Sequence, residues 1–162
     1  IDLPTSLSPQ DVDAFVKSCL ERLYILSCTD TTQFLITLKT LPKLIESAGN
    51  IKLLIVDSIS SFFWLDKIED EQGKSRQRKM CKQLSSLVNE HNLILFATRA
   101  VLFTRNSETT TKDYIAGWGD YVQFRFLFWK DLRSDPQAPF HVQRIHPTPS
   151  KNTFHFGITT EG

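Results

Sequence analysis

A chain of 162 residues, 41% of them hydrophobic, can bury one core and suits a single domain. It holds no run of about 18 apolar residues, which leaves no membrane-spanning helix to expect. The net charge of +1 excludes a strongly basic or acidic protein, yet it is uneven: residues 1–72 carry 6 Lys/Arg against 11 Asp/Glu, and residues 73–162 carry 13 against 7. A basic second half is compatible with phosphate contacts and equally with a solvated surface. The sequence opens on Ile1 and reads as a piece of something longer.

Ser8-Pro9-Gln10-Asp11 is a helix start, with a capping Ser, Pro at the first helical position and a carboxylate three residues after the cap. Val12, Phe15, Val16, Cys19 and Leu20 then form one apolar stripe at helical spacing. Residues 23–26, Leu-Tyr-Ile-Leu, read as a short buried strand. Asp30 with Gln33 marks the next helix, whose stripe of Phe34, Leu35, Leu38, Leu41 and Ile45 runs to Gly49, with a kink or split expected at Pro42. A second strand spans 52–57, a third helix 72–91 with Met80, Leu84, Leu87 and Val88 on one face, and a third strand 93–97. Residues 8–98 thus alternate helix and strand, which predicts a parallel sheet covered on both faces.

Residues 99–117 are a polar loop containing Thr109-Thr110-Thr111. A loop of that length in a compact domain is functional or disordered. Beyond it, 121–130 alternates, with Val122, Phe124, Phe126 and Phe128 on one face. That stripe fits a core face, and it also fits a platform on which bases stack. Residues 140–146 and 152–158 read as further strands, so 118–162 is an antiparallel extension.

Four apolar residues followed by Asp57, on an inner strand of a parallel sheet, form the Walker B pattern. Such sheets bind ligands beyond the carboxyl ends of their strands. A carboxylate there holds a water of a Mg²⁺ shell and positions nucleotide phosphates, with Ser58 beside it. The bland alternative is a strand that ends on a capping Asp. A phosphate-gripping loop needs G-x-x-x-x-G-K-[ST]. Gly73-Lys74-Ser75 fails that test, since Ile68 stands where the first glycine belongs and Glu69, Asp70 and Glu71 would repel phosphate. Lys74, Arg76, Arg78, Lys79 and Lys82 spread around the solvent side of their helix. His91, His141, His146 and His155 lack zinc spacing, and Cys19, Cys28 and Cys81 form no C-x-x-C pair. The sparse cysteines suit a reducing compartment and small core positions.

The joint order is more specific than any single motif. LLIVDS, a basic helix, LILFATR, a polar loop and GWGDYVQFRFLFWK together resemble the C-terminal part of a RecA-type recombinase core, and in particular the eukaryotic recombinase paralogues. Residues 53–58 match the Walker B strand, and 93–99 match the strand that enters the second DNA-binding loop. Trp118 and Arg125, seven apart, match a pattern of the paralogues. The resemblance covers residues 20–162. It implies an α/β fold: a RecA-like P-loop NTPase core fragment, one domain over 1–162, with a parallel sheet flanked by helices and a C-terminal antiparallel extension. Where the family carries a Gln that senses the γ-phosphate, this chain has Arg99, which cannot accept the hydrogen bond that an amide accepts.

The resemblance further implies a nuclear, accessory, non-catalytic subunit of a recombinase-paralogue complex in homologous recombination repair of DNA breaks. A D-type paralogue is the expected partner. No cofactor is expected in this fragment; in a full-length protein Mg-ATP would meet Asp57 and Ser58, the Mg²⁺ through water. Two alternatives stay open: a DNA-dependent ATPase whose P-loop half lies elsewhere, and a direct single-stranded DNA binder. DNA contact, expected to be weak, would fall on Arg99, Arg105 and Lys112, opposed by Glu108 and Asp113.

Overall fold

The computed structural model describes residues 8–69, 73–100 and 117–158, apart from 132 and 134. The chain divides into two compact units, Ile1–Ala116 and Gly117–Gly162.

In the first unit the order is α1 (Pro9–Leu20), α2 (Thr31–Ala48), β1 (Leu53–Val56), α3 (Phe63–Glu69), α4 (Gly73–Glu90) and β2 (Ile94–Ala97). The Ser8 cap forms as expected. Its hydroxyl accepts from the Asp11 backbone N–H and the Asp11 carboxylate accepts from the Ser8 N–H, both at 3.2 Å. This reciprocal box satisfies two donors that the helix leaves orphaned. The stripe of α1 nevertheless stays open, with Phe15 at 66% and Leu20 at 60% exposure.

Residues 23–26 are a correction: they pair with no strand, and their side chains are exposed. An apolar run states a wish for burial, whereas a strand needs a ladder partner. Pro42 is a second correction, because α2 runs unbroken through it for 18 residues. Proline deletes one N–H donor, and burial of the surrounding Leu38, Leu41 and Ile45 outweighs that loss. The N terminus of α2 is capped by Asp30, whose Oδ1 accepts from Gln33 N at 2.8 Å. That backbone donor holds the Asp30 carboxyl below its ordinary value. At the other end Gly49 adopts φ +71°, and its N–H donates to the Ile45 carbonyl at 3.0 Å. Only glycine enters this left-handed cap without a Cβ penalty.

The core of this unit lies where α2 packs on α4. Leu38, Leu41 and Ile45 meet a stripe of Met80, Cys81, Leu84 and Leu87, and Cys81 and Leu84 are fully buried. Helix α3 was not foreseen. Buried Asp66 fixes it: its Oδ2 accepts from the Thr31 hydroxyl at 2.7 Å, and its Oδ1 lies 3.8 Å from the Arg76 guanidinium. One carboxylate thus ties α3 to the first turn of α2 and to α4. Arg76 thereby leaves the solvated set, while Arg78, Lys79 and Lys82 stay exposed as expected.

Strands β1 and β2 pair in parallel, Leu53 opposite Ile94 through Val56 opposite Ala97. The expected cover on both faces is not found. Leu53, Ile55, Ile94 and Phe96 share one face and are 52–68% exposed, while the other face includes Val56 at 8%. Alternation along a strand assigns side chains to faces, but it does not say how many layers cover them.

The second unit holds β3 (Arg125–Lys130), β4 (Phe140–His146) and β5 (Phe154–Phe156), antiparallel in that order. A register shift falls between Arg125 and Phe126. Phe126, Phe128, Lys130, Phe140, Val142, Arg144, Phe154 and Phe156 share one face by register. On the other, the His141 ring stacks on Trp129 at 5.2 Å and meets His155 edge-on at 4.3 Å. Gly157 passes so close to the Gln137 carbonyl that any Cβ there would collide with it.

Candidate functional site

Parallel pairing brings the carboxyl ends of β1 and β2 side by side, and Asp57 and Thr98 are the first residues past each. The ladder continues one step beyond the strands, with Thr98 N donating to the Val56 carbonyl at 3.0 Å. The Thr98 hydroxyl donates to Asp57 Oδ1. Chain reversal after β1 then interleaves the two loops: Ile59 N donates to the Thr98 carbonyl at 3.0 Å, and Ala100 N donates to the Ser60 hydroxyl at 3.1 Å. Ser58 Oγ lies 3.2 Å from Ser60 Oγ and 3.1 Å from Ser61 Oγ. The result is one exposed carboxylate set among four hydroxyls at the edge where parallel sheets take ligands.

Asp57 and Ser58 therefore stand together at this edge, and Arg99 is the residue immediately after Thr98. Arg105 and Lys112, with the rest of 101–116, lie outside the described residues. Sequence reasoning missed Thr98, Ser60 and Ser61. The signal available was a hydroxyl one residue past a parallel strand whose neighbour ends on Asp; pairing such ends requires knowing the register.

A single carboxylate with hydroxyls fits an outer contact to a hydrated Mg²⁺, an ion that keeps several waters and takes one or two carboxylates beside substrate phosphates. Among the described residues, no group of three or more His, Cys, Asp or Glu gathers to bind a metal directly. An apolar groove of about 780 Å³ opens between the 19–28 segment, α2 and β1, and reaches Asp57 and Ser58. Tyr24, Leu26, Phe34 and Leu54 are among its walls. It exists because the 23–26 segment flanks β1 without bonding to it.

A short parallel sheet with helices, an acidic residue past one strand and an antiparallel three-stranded unit define an α/β protein compatible with a fragment of a RecA-like core. Comparison with known proteins narrows the class. The chain is 38% identical over 104 residues to the DNA repair protein XRCC2 of Mus musculus, a match covering 62% of this chain and 37% of that protein. It is 25% identical over 122 residues to the DNA repair protein XRCC2 homolog of Arabidopsis thaliana, covering 62% of this chain and 33% of the relative. This homology makes the chain a close relative of XRCC2 within the eukaryotic RecA-type recombinase paralogues. No protein-family model matches the chain. The matched part spans about a third of the length of these two relatives.

Proposed function

We propose that the chain is part of a DNA repair protein, one that serves homologous recombination as an accessory, non-catalytic subunit of a complex of recombinase paralogues. The observation that carries this reading is the 38% identity to a mouse protein named for DNA repair. The carboxylate edge at Asp57 supports it, because descent from a nucleotide-binding core explains why a buried strand ends there. In this reading both units belong to one RecA-like core, the protein works in the nucleus, and a D-type paralogue is its neighbour.

The chemistry favours an accessory role over hydrolysis. A phosphate cradle depends on backbone N–H groups and a Lys in a Gly-rich loop. Within these residues the nearest approach is Gly73-Lys74-Ser75, which opens α4 after a run of acidic residues. If a full-length protein binds Mg-ATP, Asp57 would hold a water of the Mg²⁺ shell, and Ser58 would lie beside it. Thr98 would orient that carboxylate by its hydrogen bond.

The test is recovery of the tagged full-length protein from its own cells. It is expected to co-purify in stoichiometric amount with a recombinase-type paralogue. A protein that runs as a free monomer, with no such partner, would contradict the proposal.

A further inference from the structure

We propose that the phenylalanine face of the β3–β5 sheet binds unpaired DNA by stacking bases on its rings. This rests on the reading of the chain as a repair protein, and it names a site that the Walker B edge does not supply. The face is built in rows across the strands. Phe128, Val142 and Phe154 lie side by side, as do Lys130, Phe140 and Phe156, while Phe126 sits opposite Arg144. Rows two residues apart are separated by about 7 Å along a strand.

Three observations favour a nucleic-acid occupant. First, the rings are open: Phe126, Phe128 and Phe154 are 55%, 61% and 67% exposed. Second, the apolar residues of the face are five phenylalanines and a single valine. A surface made for a protein would mix in aliphatic side chains, whereas a stacking surface needs flat π faces. Third, the charge is of one sign. The three strands contain Arg125, Lys130, Arg144 and three histidines, and no Asp or Glu. Lys130 and Arg144 stand on the phenylalanine face itself, Lys130 Nζ 5.5 Å from the centre of the Phe140 ring. Asp131 and Asp135 lie in the turn between β3 and β4, where each accepts a backbone N–H two residues on. A face of rings bordered by cations suits bases with a phosphate backbone running past them. Duplex DNA hides its base faces and cannot use this surface.

The experiment uses the full-length protein and a fluorescently labelled oligo-dT strand, read by anisotropy against a duplex of equal length. Phe128→Ala and Phe154→Ala should each weaken oligo-dT binding about 5- to 150-fold. Phe128→Trp should keep wild-type affinity, because it keeps a stacking face. Arg144→Gln should reduce the salt slope by about 0.7, while the Phe variants leave that slope unchanged. Both rings are more than half exposed, so their truncation leaves no core cavity, and the Trp variant separates stacking from folding. Unchanged oligo-dT affinity in the Ala variants would overturn the proposal, as would equal losses for duplex and single strand. A polypeptide that co-purifies with wild type and is lost from Phe128→Ala, with oligo-dT binding intact, would overturn it and assign the face to a protein. The repair reading fails by a separate route, when disruption of the gene leaves recombination unaltered.

Discussion

Asp57 and Thr98 sit past the ends of neighbouring strands, and the hydrogen bond between them makes the carboxylate part of a hydroxyl-lined edge rather than a loose cap. In a full-length protein that binds Mg-ATP, Asp57→Asn should therefore weaken binding about 10- to 100-fold, the usual cost of losing an outer-shell partner. Isothermal titration with Mg-ATP checks this, and unchanged affinity would make Asp57 a structural relic. Asp66 has the opposite character: it is 4% exposed and holds the Thr31 hydroxyl. Asp66→Ala leaves that buried donor unmatched and should cost about 1–3 kcal/mol in urea unfolding. Asp57 was readable because an apolar run that stops on a carboxylate is a local pattern. Asp66 was not, since its partners lie 35 residues upstream and ten downstream, and only the fold brings them together.

Helices α1, α2 and α4 were readable because each writes its own signals: Ser8 and Asp30 as caps, Gly49 as a stop, and Leu84 and Leu87 on a stripe. Leu84 is fully buried between α2 and α4, so Leu84→Ala should destabilise by about 2–5 kcal/mol in the same measurement. A loss well under that would mean the two helices collapse into the space. The cap of α2 makes a pH prediction. The Asp30 carboxyl is held below its ordinary 3.8 by the Gln33 N–H, so its contribution to stability is present above that value and fades as pH falls through the lowered one. Asp30→Asn keeps an acceptor at the cap and should remove this acid-side dependence from the helix signal in circular dichroism. The 23–26 segment and the true bounds of the outer strands were not readable. Their apolar runs continue past the residues that actually pair: the 121–130 alternation becomes a ladder only at Arg125, beyond the register shift.

Taken together, the molecule leaves apolar surface open in both units: the Leu53, Ile55, Ile94, Phe96 face in the first and the phenylalanine face in the second. The sequence assigned these residues correctly to faces and wrongly to a covered core, because coverage is a property of what packs against a sheet. The alternation of helix and strand, with the Asp at a strand end, was enough to reach the right family, since the order of weak motifs carries information that none of them carries alone. Residues 1–162 by themselves should show no saturable ATP binding, for want of a phosphate cradle. Filter binding with labelled ATP checks this, and micromolar saturation would refute it. The measurement that bears most directly on the proposed role is a homologous-recombination reporter in cells whose gene for the full-length protein is disrupted, complemented with wild type or with Asp57→Asn. An accessory, non-catalytic repair subunit predicts that disruption lowers recombination sharply and that both versions restore it. Recombination unaffected by disruption would contradict the repair role, and rescue by wild type but not by Asp57→Asn would contradict the non-catalytic one.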